Sequence, residues 1–216
     1  MKALFFDSSS IISLALNDLL YILEPLKKEF KGEFYITPDI KAEVIDYSLN
    51  TKRFMLEALM VKKLIDKGIL KIYNKKFNFR KFLDMANKTF KADGKFINLL
   101  HRGEASCIAA YRSFNEQKKA IVIDERTTRM LCEAPDKLKD LLEKKLSKKI
   151  QPVKDNFKFF KDINIIRSSE LAFLALNKKI LEFQATKTKV REALLYALKF
   201  KGCAISTQEI NEAIKI

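Results

Sequence analysis

The sequence has little of what builds a fold of many tight turns. Glycine occurs 5 times and proline 4 times in 216 residues, and tryptophan is absent. A β-sandwich or barrel is therefore disfavoured, and helices and long regular elements are expected. Cysteine is scarce as well. Cys107, Cys132 and Cys203 lie far apart, make no Cys-x-x-Cys pair, and are odd in number, which suits a reducing compartment. The single histidine, His101, excludes a multi-histidine metal centre. No apolar run approaches the ~18 residues of a membrane span, and Met1–Phe6 is too short and interrupted for a signal peptide. These absences lead to the expectation of a soluble cytoplasmic chain with no membrane partner.

Positive charge is abundant. Lys and Arg number 42 against 27 Asp and Glu, giving a net charge of +15. Such an excess attracts polyanions, nucleic acid before acidic membrane surfaces, although lysine spread over solvated faces gives the same total. With 48% hydrophobic residues the chain can bury a core, and its length suits one domain with additions.

The opening stretch organises the rest. Ala3-Leu4-Phe5-Phe6 is an uninterrupted apolar run that stops at Asp7 and three serines. Such a run fits a strand buried on both faces, as in a parallel sheet. Asp7 then lies at its carboxyl end, with Ser8 or Ser9 as the cap of a following helix. Phe34-Tyr35-Ile36 reads as a second strand, with Thr37 as cap and Pro38 in the first turn of a helix carrying Asp39, Glu43 and Asp46. Phe54–Lys67 is a helix stopped at Gly68, and Ile69–Tyr73 a strand. Lys75–Lys95 mixes phenylalanine with basic residues and reads as one helix over the sheet. Small residues at Ala105, Ala109 and Ala110 suit a closely packed helix, with Glu104 in its first turn. Ile121-Val122-Ile123 is a strong strand signal ending at Asp124-Glu125. A short helix follows from Thr127, then a lysine-rich one over Lys137–Lys149. Ile163–Ile166 is a last strand, and Ser168 or Ser169 caps a helix through Leu171–Leu181. Val190–Phe200 is amphipathic, and Ser206-Thr207-Gln208-Glu209 forms a capping box.

These elements predict an α/β fold with a central parallel sheet of four to five strands between helices. If the sheet is parallel, Asp7 and Asp124 at strand ends share an edge with Glu43 and Glu104 at helix starts. Four carboxylates in one pocket call for protonation or a cation, and all-oxygen ligands suit Mg²⁺ or Mn²⁺. In a basic protein, that combination suggests phosphodiester chemistry.

In order and spacing, Phe6-Asp7-Ser8-Ser9, Thr37–Glu43, Gly103–Ala109 and Val122–Arg126 with Arg129 resemble the PIN-domain nucleases, the family that includes the VapC toxins and archaeal relatives. The resemblance spans roughly residues 1–167, leaving 168–216 as a helical extension. It implies helices on both faces of the sheet, a Mg²⁺ or Mn²⁺ site, and cleavage of single-stranded RNA. By carry-over Asp7, Glu43, Glu104 and Asp124 are the metal ligands, with Glu125 as the alternative to Asp124. Ser9 stands where the family has a small polar residue that orients the site. Arg102, Arg126, Arg129, Lys144, Lys145 and Lys148 are the candidate RNA contacts. A homodimer and an antitoxin-like protein regulator are the other partners implied. One departure is plain: relatives often carry a hydroxyl residue before the fourth acid, where this chain has Val122-Ile123.

Overall fold

The apolar runs become short buried strands, and the polar residues that end them become helix caps. The structure, a computed structural model, describes residues 1–215. Strand β1 (Ala3–Phe6) leads through Asp7 into helix α1 (Ser8–Leu16). A 3₁₀ turn and α2 (Leu23–Phe30) bring the chain to β2 (Glu33–Ile36). Thr37 then caps α3 (Pro38–Lys41), its Oγ1 accepting from Ile40 N at 3.2 Å. From Ala42 to Tyr47 the helix widens to π spacing. Helix α4 (Met55–Asp66) stops before Gly68, whose φ of +70° favours glycine, and β3 (Leu70–Ile72) follows.

The next stretch differs from the expected single helix. Within Lys75–Lys95, only α5 (Phe79–Asn87) is helical. The chain then forms β4 (Phe90–Ala92), turns at Asp93-Gly94, and returns as β5 (Lys95–Phe96). Asp93 and Gly94 both have positive φ, as a tight hairpin turn requires. Phe90 is fully buried, so burial draws this segment out of the helix. Helix α6 (Arg102–Ser113), β6 (Lys119–Val122), α7 (Arg126–Glu133) and α8 (Pro135–Leu146) come next. Strand β7 (Ile150–Pro152) pairs with β4, completing a small antiparallel sheet of order β5-β4-β7. After β8 (Ile165–Ile166), helices α9 (Ser168–Asn177), α10 (Lys187–Phe200) and α11 (Thr207–Ile214) end the described chain.

The main sheet is all parallel, with order β3-β2-β1-β6-β8, as the sequence led us to expect. From β1 the chain first builds outward through β2 and β3, then resumes on the other side with β6 and β8. This reversal makes the carboxyl ends of β1 and β6 a topological switch point, where open α/β sheets form a crevice. The C-terminal helices join the main core. Leu171, Leu195, Leu198 and Ile210 are buried in the same cluster as Phe6 and Leu14. Lys201 Nζ also donates to Leu16 O at 2.6 Å, and Ala204 N to Asp124 O at 3.1 Å. Among the described residues, no single helix is long and apolar enough to cross a membrane.

Candidate functional site

Asp7 occupies the switch point. Its backbone N–H donates to Val122 O at 2.9 Å, continuing the β1–β6 ladder by one residue. Asp7, and not Ser8 or Ser9, is the cap of α1. Its Oδ2 accepts from Ser9 N at 3.0 Å and from Ser9 Oγ at 2.6 Å. Ser9 Oγ in turn accepts from Asp124 N at 3.0 Å, so one hydroxyl links the two strand ends. Ser10 Oγ reinforces the junction through Asp7 O and Val122 O. The other Asp7 oxygen, Oδ1, is enclosed and has no partner. Burial pushes the Asp7 carboxyl up to about 7; the Glu104 and Glu43 charges add to the rise, and the bonds from Ser9 oppose it.

Glu43 reaches the same edge from the π-helical segment, an irregularity often found where a side chain is re-aimed for function. It is half-buried, and burial raises its pKa against the lowering effect of the Ser8 hydroxyl; Glu104 and Asp39 raise it further. Gly103 makes room for it. A Cβ on Gly103 would stand 2.6 and 2.7 Å from the two Glu43 carboxylate oxygens. The neighbouring Ser106 Oγ and Thr37 Oγ1 share a buried hydrogen bond of 2.6 Å, which fixes α6 against the start of α3. Glu104 is the third acid, its Oε2 accepting from His101 N at 3.0 Å at the start of α6. At the rim, Arg102 forms an ion pair with Asp39 and lies 4.9 Å from the centroid of the Phe79 ring.

Asp7, Glu43 and Glu104 are thus brought into electrostatic reach of one another. The other two acids are not turned toward them. Asp124 is fully buried, and its Oδ1 and Oδ2 accept from Ser168 N at 2.8 Å and Ser168 Oγ at 2.5 Å. Its carboxylate serves the start of α9, a role expected of Ser168 or Ser169. Glu125 caps α7, with Oε1 accepting from Thr127 N and Oε2 from Thr128 N and Oγ1. The expected four-carboxylate cup is therefore three carboxylates plus a backbone N–H from the fourth position. Among the expected RNA contacts, Arg126, Lys144 and Lys145 are exposed, Lys148 is paired with Asp93, and Arg129 is largely covered beside Glu133.

The donor set fits a hard divalent cation in two respects. It is all carboxylate oxygen, and it contains one buried oxygen that none of the described residues satisfies. Among the described residues, no three acidic, histidine or cysteine side chains already stand close enough together to hold an ion. The fit rests on Asp7 as a fixed ligand; Glu43, beside the Ser8 hydroxyl, and Glu104, held by His101 N, would each have to turn toward it to complete the donor set. Cysteine chemistry is a poor alternative. Burial pushes Cys132 up to about 12 and Cys203 up to about 11, and raises the enclosed Cys107 as well, so none is poised as a thiolate.

Sequence reasoning placed Gly103, Thr37, Ser106 and Ser168 in motifs or caps but missed the room Gly103 leaves for Glu43, the Thr37–Ser106 hydrogen bond and the hold of Ser168 on Asp124. Only Gly103 carried a local signal, as a glycine at a helix start beside a predicted acid. Gly103→Ala is expected to leave the fold intact, since alanine suits a helix, but to displace the Glu43 carboxylate. Affinity for Mn²⁺ should fall about tenfold, a loss of ~1.4 kcal/mol, while the thermal midpoint without metal is held or raised. Calorimetric titration beside a melting curve checks this.

Compared with known proteins, the chain matches no family model, no curated protein and no solved structure.

Proposed function

We propose that the protein is a PIN-type ribonuclease, dependent on Mg²⁺ or Mn²⁺, that hydrolyses RNA phosphodiesters at the Asp7–Glu43–Glu104 cluster. The observation that carries this reading is the buried, unpartnered Asp7 Oδ1 at the sheet's switch point, with two further acids raising the Asp7 pKa. A charge placed there is costly to the protein by itself and useful to a ligand of opposite sign. When bound, a divalent cation supplies neutralisation of phosphoryl charge and a water of lowered pKa.

The chain's own residues have separate tasks. Asp7 binds, and Ser9 fixes its orientation. Glu43 is half-buried, and burial raises its pKa above the usual carboxylate range, which favours a role in moving a proton at the cluster. Arg102 sits at the rim where a phosphate would approach, and the net charge of +15 favours a polyanionic substrate.

In a cleavage assay on end-labelled single-stranded RNA with Mn²⁺, Asp7→Asn and Glu43→Gln should each lose about 10²–10⁴-fold in rate with unchanged circular dichroism. Cleavage by Asp7→Asn at the wild-type rate defeats the proposal. A second reading, an RNA-binding module without turnover, is favoured by the diversion of Asp124 and Glu125 into caps. It requires salt-sensitive RNA binding with no cleavage in any divalent cation.

A further inference from the structure

A cavity of about 220 Å³ lies between α9, α10 and α11, in the C-terminal helices and separate from the acid cluster. Phe173, Leu195, Ile205 and Ala213 give it apolar walls, and Arg191 lines it. Arg191 is 7% exposed. Among the described residues, its guanidinium meets no acid and no hydrogen-bond acceptor, and its Nε is enclosed without a partner. The cation rests only on the face of Phe173, 5.7 Å from the ring centroid. The acids nearest the cavity are committed elsewhere. Glu170 and Glu209 both bind Arg167, and each also accepts from a backbone N–H at its own helix start. Ser169, buried beside the Cys203 thiol, also lines the cavity.

We propose that this cavity is a binding site for a small monocarboxylate carrying an apolar group, with Arg191 as the residue that recognises the carboxylate. An arginine buried with no counter-ion among the described residues is a costly arrangement, and an entering anion is what completes it. The planar guanidinium matches a carboxylate in a two-point fork. The cavity is small beside the ~300–1,000 Å³ of drug-sized sites, and its apolar walls are edged by Arg167, Glu170 and Glu209, which engage one another, besides Arg191. Glu170 and Glu209 at its edge disfavour a dianion such as phosphate. The site also adjoins Ser168, the residue that holds Asp124, so an occupied cavity would stiffen the start of α9.

The test uses the full chain, and needs neither RNA nor a divalent cation. Benzoate and 3-methylbutanoate serve as probes, with benzamide and inorganic phosphate as controls. Calorimetry should show saturable binding of the carboxylates and at least tenfold weaker binding of benzamide and phosphate. In wild-type protein, the Arg191 Nε–H resonance should move on adding benzoate, a readout that needs no stable variant. Arg191→Lys, which keeps the charge and loses the fork, should bind at least tenfold more weakly, and Arg191→Met should not bind. Absence of carboxylate binding, preference for phosphate, an unmoved Nε–H resonance, or unchanged affinity in Arg191→Lys would each overturn the proposal.

Discussion

In the absence of divalent cations, the protein should become more stable as the pH is lowered from about 8 to about 5, and Asp7→Asn should remove most of that gain. The Asp7 carboxyl is raised from 3.8 to about 7 in the folded protein. Between those values the folded state holds a proton that the unfolded chain has released, so stability falls as pH rises through this window. Below the lower value the cost is absent, and above the upper one it is complete. At about 1.4 kcal/mol per pH unit, the full cost is on the order of 4 kcal/mol, against a total stability of ~5–15 kcal/mol for an ordinary domain. Glu43 and Glu133, both raised chiefly by burial, act in the same direction. Glu209 acts oppositely but outside the window. Burial raises it, yet Ser206 and Arg167 outweigh this and bring it down to about 2, so its contribution is lost only in stronger acid.

Asparagine at position 7 keeps a side-chain oxygen for Ser9 N and carries no charge. Urea unfolding at about pH 8 should therefore find Asp7→Asn more stable than wild type by roughly 2–4 kcal/mol, with the gap narrowing by more than half at about pH 5 and closing only below about pH 4. Saturating Mn²⁺ should close the same gap from the other side, adding ~2.7 kcal/mol to wild type at a hundredfold excess over its dissociation constant, and little to the variant. A flat wild-type profile between pH 5 and 8, or a variant weaker than wild type at pH 8, contradicts the claim that Asp7 is a destabilising charge awaiting a cation.

Much of this arrangement was legible in the residues. Uninterrupted apolar runs ending at Asp7 and Asp124 marked the strands on either side of the switch point, because strands buried on both faces cannot alternate. Thr37-Pro38 and the Ser206–Glu209 box announced helix starts through chemistry confined to a few neighbouring positions, and the structure forms both. The β4–β5 hairpin was hidden for a different reason. Phe79, Phe82 and Phe90 together imitate a helical stripe, and only the Asp93-Gly94 pair betrays the turn. The fate of Asp124 was not legible at all. Its partner, Ser168, is 44 positions away, and nothing in the local sequence tells a carboxylate turned toward a cation from one turned toward a distant helix start. The same holds for Arg191, whose burial follows only from how the last three helices pack.

Asp124 should behave in the opposite sense to Asp7, although the resemblance assigns both to one task. Its two oxygens accept the backbone N–H and the hydroxyl of Ser168, and its carbonyl accepts from Ala204 N, so a single residue ties β6 to α9 and to the segment before α11. Hydrogen bonds to a buried charge contribute about 1.5–3 kcal/mol each, and Asp124→Ala also leaves Ser168 N unpaired. The expected loss is roughly 3–5 kcal/mol with no metal present, and the amides of α9 to α11 should lose exchange protection first. Asp124→Asn, whose amide can still accept from Ser168 N and donate to Ser168 Oγ, should cost only about 1 kcal/mol. Ser168→Ala should recover part of the alanine effect alone, and the double variant should lose less than the sum, because both changes break one contact. If Asp124 were instead held for a cation, its removal would leave the metal-free protein as stable as before or more so. Equal or improved stability of Asp124→Ala would thus return it to the acid cluster, whereas the predicted loss makes the C-terminal helices part of what shapes the floor of the site through Ser9 and the Asp124 N–H.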